Sequence, residues 1–261
     1  MKPIHLTALL LAMLTACNSG TGKKETVEPE NWIQLFNGKD LEDWTIKMSK
    51  HPLNENFNNT FRVENGMLAI RYDQYDQFDG EYGHIFYKIP YSSYRLRVEY
   101  RVVGEQVTGG QGWALRNNGV MFHAQSPESM LLDQDFPVSI EAQLLGGTGE
   151  GERPTGNVCT PGTNVVIDGE LVTQHCNSST SKTYNGDVWV TFELVVYGDS
   201  IIHHIVEGDT VLTYSKPQIG GELPEGFPLA EGTPLTQGYI ALQAESHPFD
   251  FRKVELLDLS K

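Results

Sequence analysis

The sequence has no sustained helical period after its first residues and no long apolar run beyond Ile4–Leu14. Without amphipathic helices, helical bundles and alternating α/β architectures are excluded. The one apolar run is too short to span a bilayer as a permanent helix. Positive charge is scarce, with 19 basic against 34 acidic residues and a net charge of −15. Such a surface repels nucleic-acid phosphates and anionic lipid headgroups, so both are poor partners and a neutral ligand is expected. Cysteine is limited to three residues, and no spaced His/Cys or His/Glu motif marks a metal site. No internal repeat or linker divides the chain after Trp32.

What is present starts with a leader. A basic Met1-Lys2, the short apolar run and the small residues before Cys17 read as a signal peptide over residues 1–16. Leu14-Thr15-Ala16-Cys17 matches the bacterial lipoprotein box, in which the cysteine thiol takes a diacylglycerol. Residues 17–30 then read as a flexible tether, rich in Gly, Lys, Thr and Glu. The expected location is the bacterial envelope, with the protein held to the outer membrane by its lipid and facing the periplasm. The only membrane contact would be that anchor. In an oxidising compartment the remaining Cys159 and Cys176 are expected to form a disulfide, worth roughly 3 kcal/mol in the chain-entropy picture.

From Trp32 onward, strand follows strand. Thr60–Val63 and Met67–Tyr72 flank Glu64-Asn65-Gly66, a hairpin signal. Tyr94–Val103 alternates, with Leu96, Val98, Tyr100 and Val102 opposite Arg95, Arg97, Glu99 and Arg101. Trp113–Arg116, Asn118–His123, Val188–Tyr197, Ile201–Val206, Thr210–Tyr214, Gly238–Ala244 and Phe249–Leu259 add further strands, and Trp32 is placed to neighbour Leu256–Leu259. Gly146–Ser181 and Pro217–Pro234 read as long loops, which in a compact domain are usually functional. The pattern predicts an all-β, two-sheet jelly-roll sandwich over residues 31–261 as a single domain.

The stretch Val138–Leu145 organises the candidate site. Val138, Ile140, Ala142 and Leu144 share one face, while Ser139, Glu141 and Gln143 share the other. If Asn118–His123 is the neighbouring strand, His123, Glu141 and Gln143 line one floor. Trp113 and Tyr184 are candidates to stack on a sugar face, although Trp in a sandwich is usually core. Glu99 between Arg97 and Arg101 suits a charge ladder as well as a pocket. His203 and His204 point to opposite faces, and Glu245, His247 and Arg252 fit a pocket rim and plain surface equally well.

Several phrases together resemble one family. They are Trp32–Trp44, Phe61–Leu68, Leu96–Arg101, Asn118–His123, Ser139–Gln143 and Gly238–Glu245 followed by Phe251-Arg252. In that order they resemble the 3-keto-disaccharide hydrolases, over nearly all of the chain after the tether. The resemblance implies a concanavalin A-like jelly roll, a secreted or lipid-anchored setting and action on glycosides oxidised at C3. The fold is shared with retaining glucanases, which need two carboxylates about 5 Å apart. Here the i+2 partner of Glu141 is Gln143, an amide, so their strand motif is absent.

A 3-keto sugar offers another route, because the ketone acidifies the C2 hydrogen. A base can remove it, the C1 substituent can leave, and water can add to the unsaturated ketone, giving net hydrolysis. Glu141 and His123 are the candidate bases. Arg101, Arg116 or a divalent metal would hold the enolate, and Gln143, Arg116, Glu99 and Trp113 are candidates to bind the sugar. No cofactor follows from the residues themselves; a metal on His123, Glu141 and a third ligand is an open alternative. A non-catalytic carbohydrate-binding lipoprotein and an ordinary glycosidase are the competing readings.

Overall fold

The computed structural model describes Met1 and residues 30–260. The leader beyond Met1, Cys17 and all of the tether except Glu30 lie outside the described residues. Seventeen strands follow: β1 (Ile33–Gln34), β2 (Trp44–Met48), β3 (Phe61–Glu64), β4 (Met67–Ile70), β5 (Gly83–Tyr87), β6 (Ser93–Val102), β7 (Asn117–Ala124), β8 (Ile140–Leu145), β9 (Asn157–Cys159), β10 (Thr163–Ile167), β11 (Glu170–Val172), β12 (Cys176–Asn177), β13 (Val190–Tyr197), β14 (Ile201–Val206), β15 (Asp209–Ile219), β16 (Tyr239–Ala244) and β17 (Phe249–Asp258). There is no α-helix among the described residues, and no helix long and apolar enough to cross a membrane.

The strands form two antiparallel sheets. A ten-stranded sheet runs β11-β10-β15-β14-β13-β6-β17-β4-β3, with β1 also paired to β17. A seven-stranded sheet runs β12-β9-β8-β7-β16-β5-β2. This is the two-sheet jelly roll expected from the strand pattern, in the concanavalin A-like form that the family resemblance implied. β6 shows why the sheets stack: every second residue from Tyr94 to Val102 is buried, and the residues between are partly open. Leu96 and Val98 meet Ile140, Ala142 and Leu144 of β8 in one shared apolar core. Ile33 pairs with Leu256, joining the first strand to the last as the sequence suggested.

Two expectations need correction. Gly146–Ser181 is not a bare loop, since it carries β9 to β12. These strands are too short for periodicity to reveal and are recognisable only through their pairing. Trp113–Arg116 is not a strand: Gly112–Ala114 forms a single 3-10 turn, and Arg116 has a φ of 51° that breaks extension before β7 begins.

Candidate active site

The site lies on the side of the seven-stranded sheet that faces away from the core. Pairing of β7 with β8 sets Met121 opposite Glu141 and Gly119 opposite Gln143. Pairing of β16 with β5 sets Gln243 opposite His84. Glu141 is buried there although its strand face is the outer one, and Phe136, Pro161 and His175 from segments between strands line the same space. Gly119 makes room: a Cβ on it would stand 2.4 Å from Glu141 Oε1. The carboxylate therefore lies across the bare backbone of β7, toward β16.

Just past the end of β16, Glu245 enters the same cavity. That cavity has a volume of about 330 Å3 and is lined by Glu141, Gln143, Glu245, Asn117, Trp113, Phe136, Cys159, Pro161, His175 and Cys176. Burial pushes the Glu141 carboxyl up to about 8. Burial also pushes Glu245 well above the usual carboxylate range, and the charge of Glu141 adds to the effect. Both carboxyls thus hold their protons more tightly than ordinary ones, and once Glu141 ionises, at about 8, it stands as a base beside an acid that keeps its proton. The single-strand view of Glu141 as a lone acid is thus corrected. The expected i+2 carboxylate is indeed absent, but the second acid arrives from another strand.

Polar atoms without protein partners concentrate on this face. Among the described residues they include Glu141 Oε1, Glu245 Oε2, Asn117 Oδ1, both amide atoms of Gln243 and both ring nitrogens of His84. Buried polar atoms are nearly always hydrogen-bonded, so this cluster requires water or a ligand. His84 is held neutral, down at about 3, by burial first and the Lys47 charge second.

Gln143 is oriented by a chain of bonds. The Ser179 N–H donates to Asn157 Oδ1 at 2.9 Å, which leaves Asn157 Nδ2 to donate to Gln143 Oε1 at 2.9 Å. With its oxygen engaged, Gln143 has its amide N–H groups left to donate. Trp113 is 54% exposed at the rim and stacks on Tyr82 with ring centroids 5.9 Å apart. Phe136 fills the corner between Trp113, Tyr82 and His84.

The Cys159–Cys176 disulfide is present, between residues paired on β9 and β12. It lines the cavity beside His175, whose carbonyl accepts from the Thr160 N–H at 2.8 Å. A second cavity of about 520 Å3 adjoins the first and shares Phe136, Pro161 and His175 with it.

Other candidates are placed elsewhere. β16 advances two residues from Tyr239 to Ala241 where β7 spans three steps from Met121 to Ala124, and His123 takes a φ of 46°. This bulge reverses the alternation. Met121 and Ala124 pack in one apolar cluster, while His123 turns away and its Nε2 donates to the Gly198 carbonyl at 3.0 Å. His123 lines a separate cavity with Gln125 and Gln237. It cannot share a metal or a proton with Glu141, and among the described residues no group of three His, Cys, Asp or Glu side chains is arranged to hold a metal.

Arg101 belongs to the other sheet, where its Nε donates to Asp250 Oδ2 at 2.8 Å and its guanidinium stacks over Trp189. Glu99, on the same face, is paired with Arg252 at 2.5 Å and Lys253 at 3.1 Å. Burial works to raise its carboxyl, but those hydrogen bonds prevail and hold it low. Both are structural ion pairs, corrected from the catalytic and sugar-binding roles. Arg116 stands at the start of β7 over another cavity and donates to the Gly186 carbonyl at 2.8 Å. His204 is core, bonded to the Gly156 carbonyl and Tyr214 hydroxyl. Tyr184 lines a cavity of the opposite sheet's loops.

Sequence reasoning missed Asn117, His84 and Gln243, and offered Glu245 only as a pocket-rim residue, not as a partner of Glu141. A signal existed for two of them: Gln243 and Glu245 alternate with Leu242 and Ala244 as Glu141 and Gln143 alternate with Ala142 and Leu144. That β7 alone separates the two strands is a topological fact invisible to either pattern.

Comparison with known proteins gives one family match. The model of the 3-keto-alpha-glucoside-1,2-lyase-like domain fits residues 31–257. Among solved structures, a provisionally assigned glycosyl hydrolase from Parabacteroides distasonis aligns at 18% identity over 88% of this chain and 100% of its own, with a TM-score of 0.52. A second such protein from the same organism aligns at 19% identity over 88% and 94%, with a TM-score of 0.49. The first likeness shows a shared fold and nothing finer. No curated protein matches the sequence.

Proposed function

This chain belongs to the 3-keto-alpha-glucoside-1,2-lyase-like domain family, and from that membership we propose that it cleaves 3-keto-glycosides, 3-keto-disaccharides among them, by elimination and hydration. The observation that carries the reading is the buried Glu141–Glu245 pair in a cavity sized for one sugar ring.

Glu141, as carboxylate, takes the C2 hydrogen. The C2 electrons form the enolate of the C3 ketone, whose oxygen accepts from the fixed Gln143 amide. Collapse of the enolate forms the C1=C2 bond and breaks the C1–O bond, and protonated Glu245 gives its proton to the departing oxygen. Water then adds at C1 and a proton returns to C2. Trp113 offers a stacking face at the rim, and the adjoining 520 Å3 cavity receives the leaving group. A divalent metal would supply the same enolate stabilisation, but His123 and Glu141 are too far separated in role and place to hold it together. The lipoprotein box supports anchoring through lipidated Cys17 to the outer membrane, on its periplasmic face.

One observation favours a second reading. Two acids in one pocket also suit a retaining glycosidase acting on unoxidised sugars. Incubation in D2O with a 3-keto-disaccharide and with its unoxidised parent separates the two. The proposed chemistry requires turnover of the oxidised substrate alone, with deuterium at C2 of the released sugar. Cleavage of the parent at a comparable rate would exclude it, and retention of the sugar without any turnover would favour a non-catalytic binding protein.

A further inference from the structure

We infer that the cavity under Arg116, near the carboxylate pocket, binds an oxyanion through Arg116 and His247. The cavity has a volume of about 350 Å3, and its lining includes Glu105, Arg116, Gly147, Gly149, Asn185 and His247. It neighbours the carboxylate pocket along two chain segments: Arg116 precedes Asn117, and His247 lies two residues past Glu245.

Its donors lack partners. His247 is 1% exposed, and neither ring nitrogen makes a hydrogen bond among the described residues. The Gly104 carbonyl draws near enough to favour the protonated ring but does not meet hydrogen-bond geometry. Arg116 spends one Nη on the Gly186 carbonyl, and its Nε is buried with nothing to donate to. An unpaired guanidinium N–H and an unpaired imidazole are costly to bury, and each needs an acceptor or donor in the cavity.

The local field selects the sign of that group. Arg153 stands behind the site, tied to the carbonyls of Leu115 at 2.6 Å, Gly146 at 2.5 Å and Arg116 at 3.3 Å. Burial first, then the charges of Arg116 and Arg153, keep His247 neutral, down at about 4. Arg116 lines the cavity and Arg153 adds a second positive charge behind it, in a chain of net charge −15. Among the described residues lining the cavity the acid is Glu105, exposed at the mouth. Bare glycine backbone lets these side chains pack close: a Cβ on Gly147 would come within 2.2 Å of Asn185 Oδ1, and one on Gly146 within 3.0 Å of Arg116 Nε, while Gly149 leaves open space beside it. A carboxylate or sulfate brings several acceptor oxygens and a charge that offsets the guanidinium pair, which water cannot do. The inference does not depend on the reaction proposed above, because binding is read without turnover.

The test is calorimetric titration of the full chain with sodium sulfate and with glucuronate, at ionic strength held constant with chloride. Saturable one-site binding is expected, at least tenfold weaker in Arg116→Gln and in His247→Gln and unchanged in Arg252→Gln, whose side chain pairs with Glu99. Tighter binding of glucuronate identifies a carboxylate site, tighter binding of sulfate a sulfate site. Absence of saturation with both anions, or equal affinity in Arg116→Gln, overturns the inference. Should the variants not fold, the 15N shifts of the His247 ring in the unaltered protein decide: they move with sulfate, or the inference fails.

Discussion

Glu141 on β8 and Glu245 beyond β16 share one buried cavity, and the charge of the first raises the proton affinity of the second, although the whole of β7 runs between their strands. If one serves as base and the other as acid, kcat/KM should be bell-shaped in pH. Glu141→Gln and Glu245→Gln should each lower kcat about 10²–10⁴-fold. Glu245→Gln should also lose the alkaline limb. A profile unchanged in shape would separate Glu245 from the proton transfer.

The same pair sets a pH dependence of stability. Glu141 has its folded-state affinity for protons raised by burial, to about 8 from an ordinary value of 4.5. Its contribution is therefore full below about 4.5 and is lost as pH rises through 8. His84 and His204, held down at about 3 and about 4, act in the opposite sense, and their contribution is lost as pH falls below about 6.5. Urea unfolding at a series of pH values should show Glu141→Gln losing less stability than the parent between pH 5 and pH 8.

Gly119 is the position where sterics and chemistry meet. Gly119→Ala places a methyl 2.4 Å from the Glu141 carboxylate, which must swing aside. Because β7 keeps its pairing, Tm should change little, while kcat should fall on the order of 10²-fold, as expected when a reacting group is displaced by about 1 Å. Equal kcat in this variant would mean that the Glu141 position over β7 is not the catalytic one.

Arg101 should behave as structure rather than catalyst. It shares Asp250, which is fully buried, with Arg71. Arg101→Ala should destabilise by about 1–3 kcal/mol, less than complete loss of a buried pair because Arg71 stays, and should leave kcat within twofold. A drop of 10² or more in kcat with Tm preserved would return Arg101 to the reaction.

Reduction of Cys159–Cys176, which closes a separation of 17 residues, should cost about 3 kcal/mol. Because the bridge lines the cavity, KM should rise more than kcat falls, and steady-state kinetics with and without reductant would show the difference.

The sequence is most legible where one strand speaks for itself. β6 and β8 announce their core faces through strict alternation, and Glu141 and Gln143 stand where that alternation places them. Legibility fails where meaning depends on a neighbour. Arg101 looks like a free cation until Asp250 appears beside it from β17. Glu245 looks like surface until β7 is found between its strand and that of Glu141. His123 fails for a local reason, since alternation places it with Glu141 and one inserted residue moves it off.

That insertion gives β7 two loyalties. Upstream, Asn117 and Gly119 serve the carboxylates; downstream, His123 clasps the hairpin of the opposite sheet at Gly198. A catalyst usually trades firmness for freedom around its reacting groups. Here the rivet and the tool occupy separate lengths of one ribbon, so evolution or an engineer can retool the pocket around Asn117 and Gly119 while the seam between the sheets stays shut.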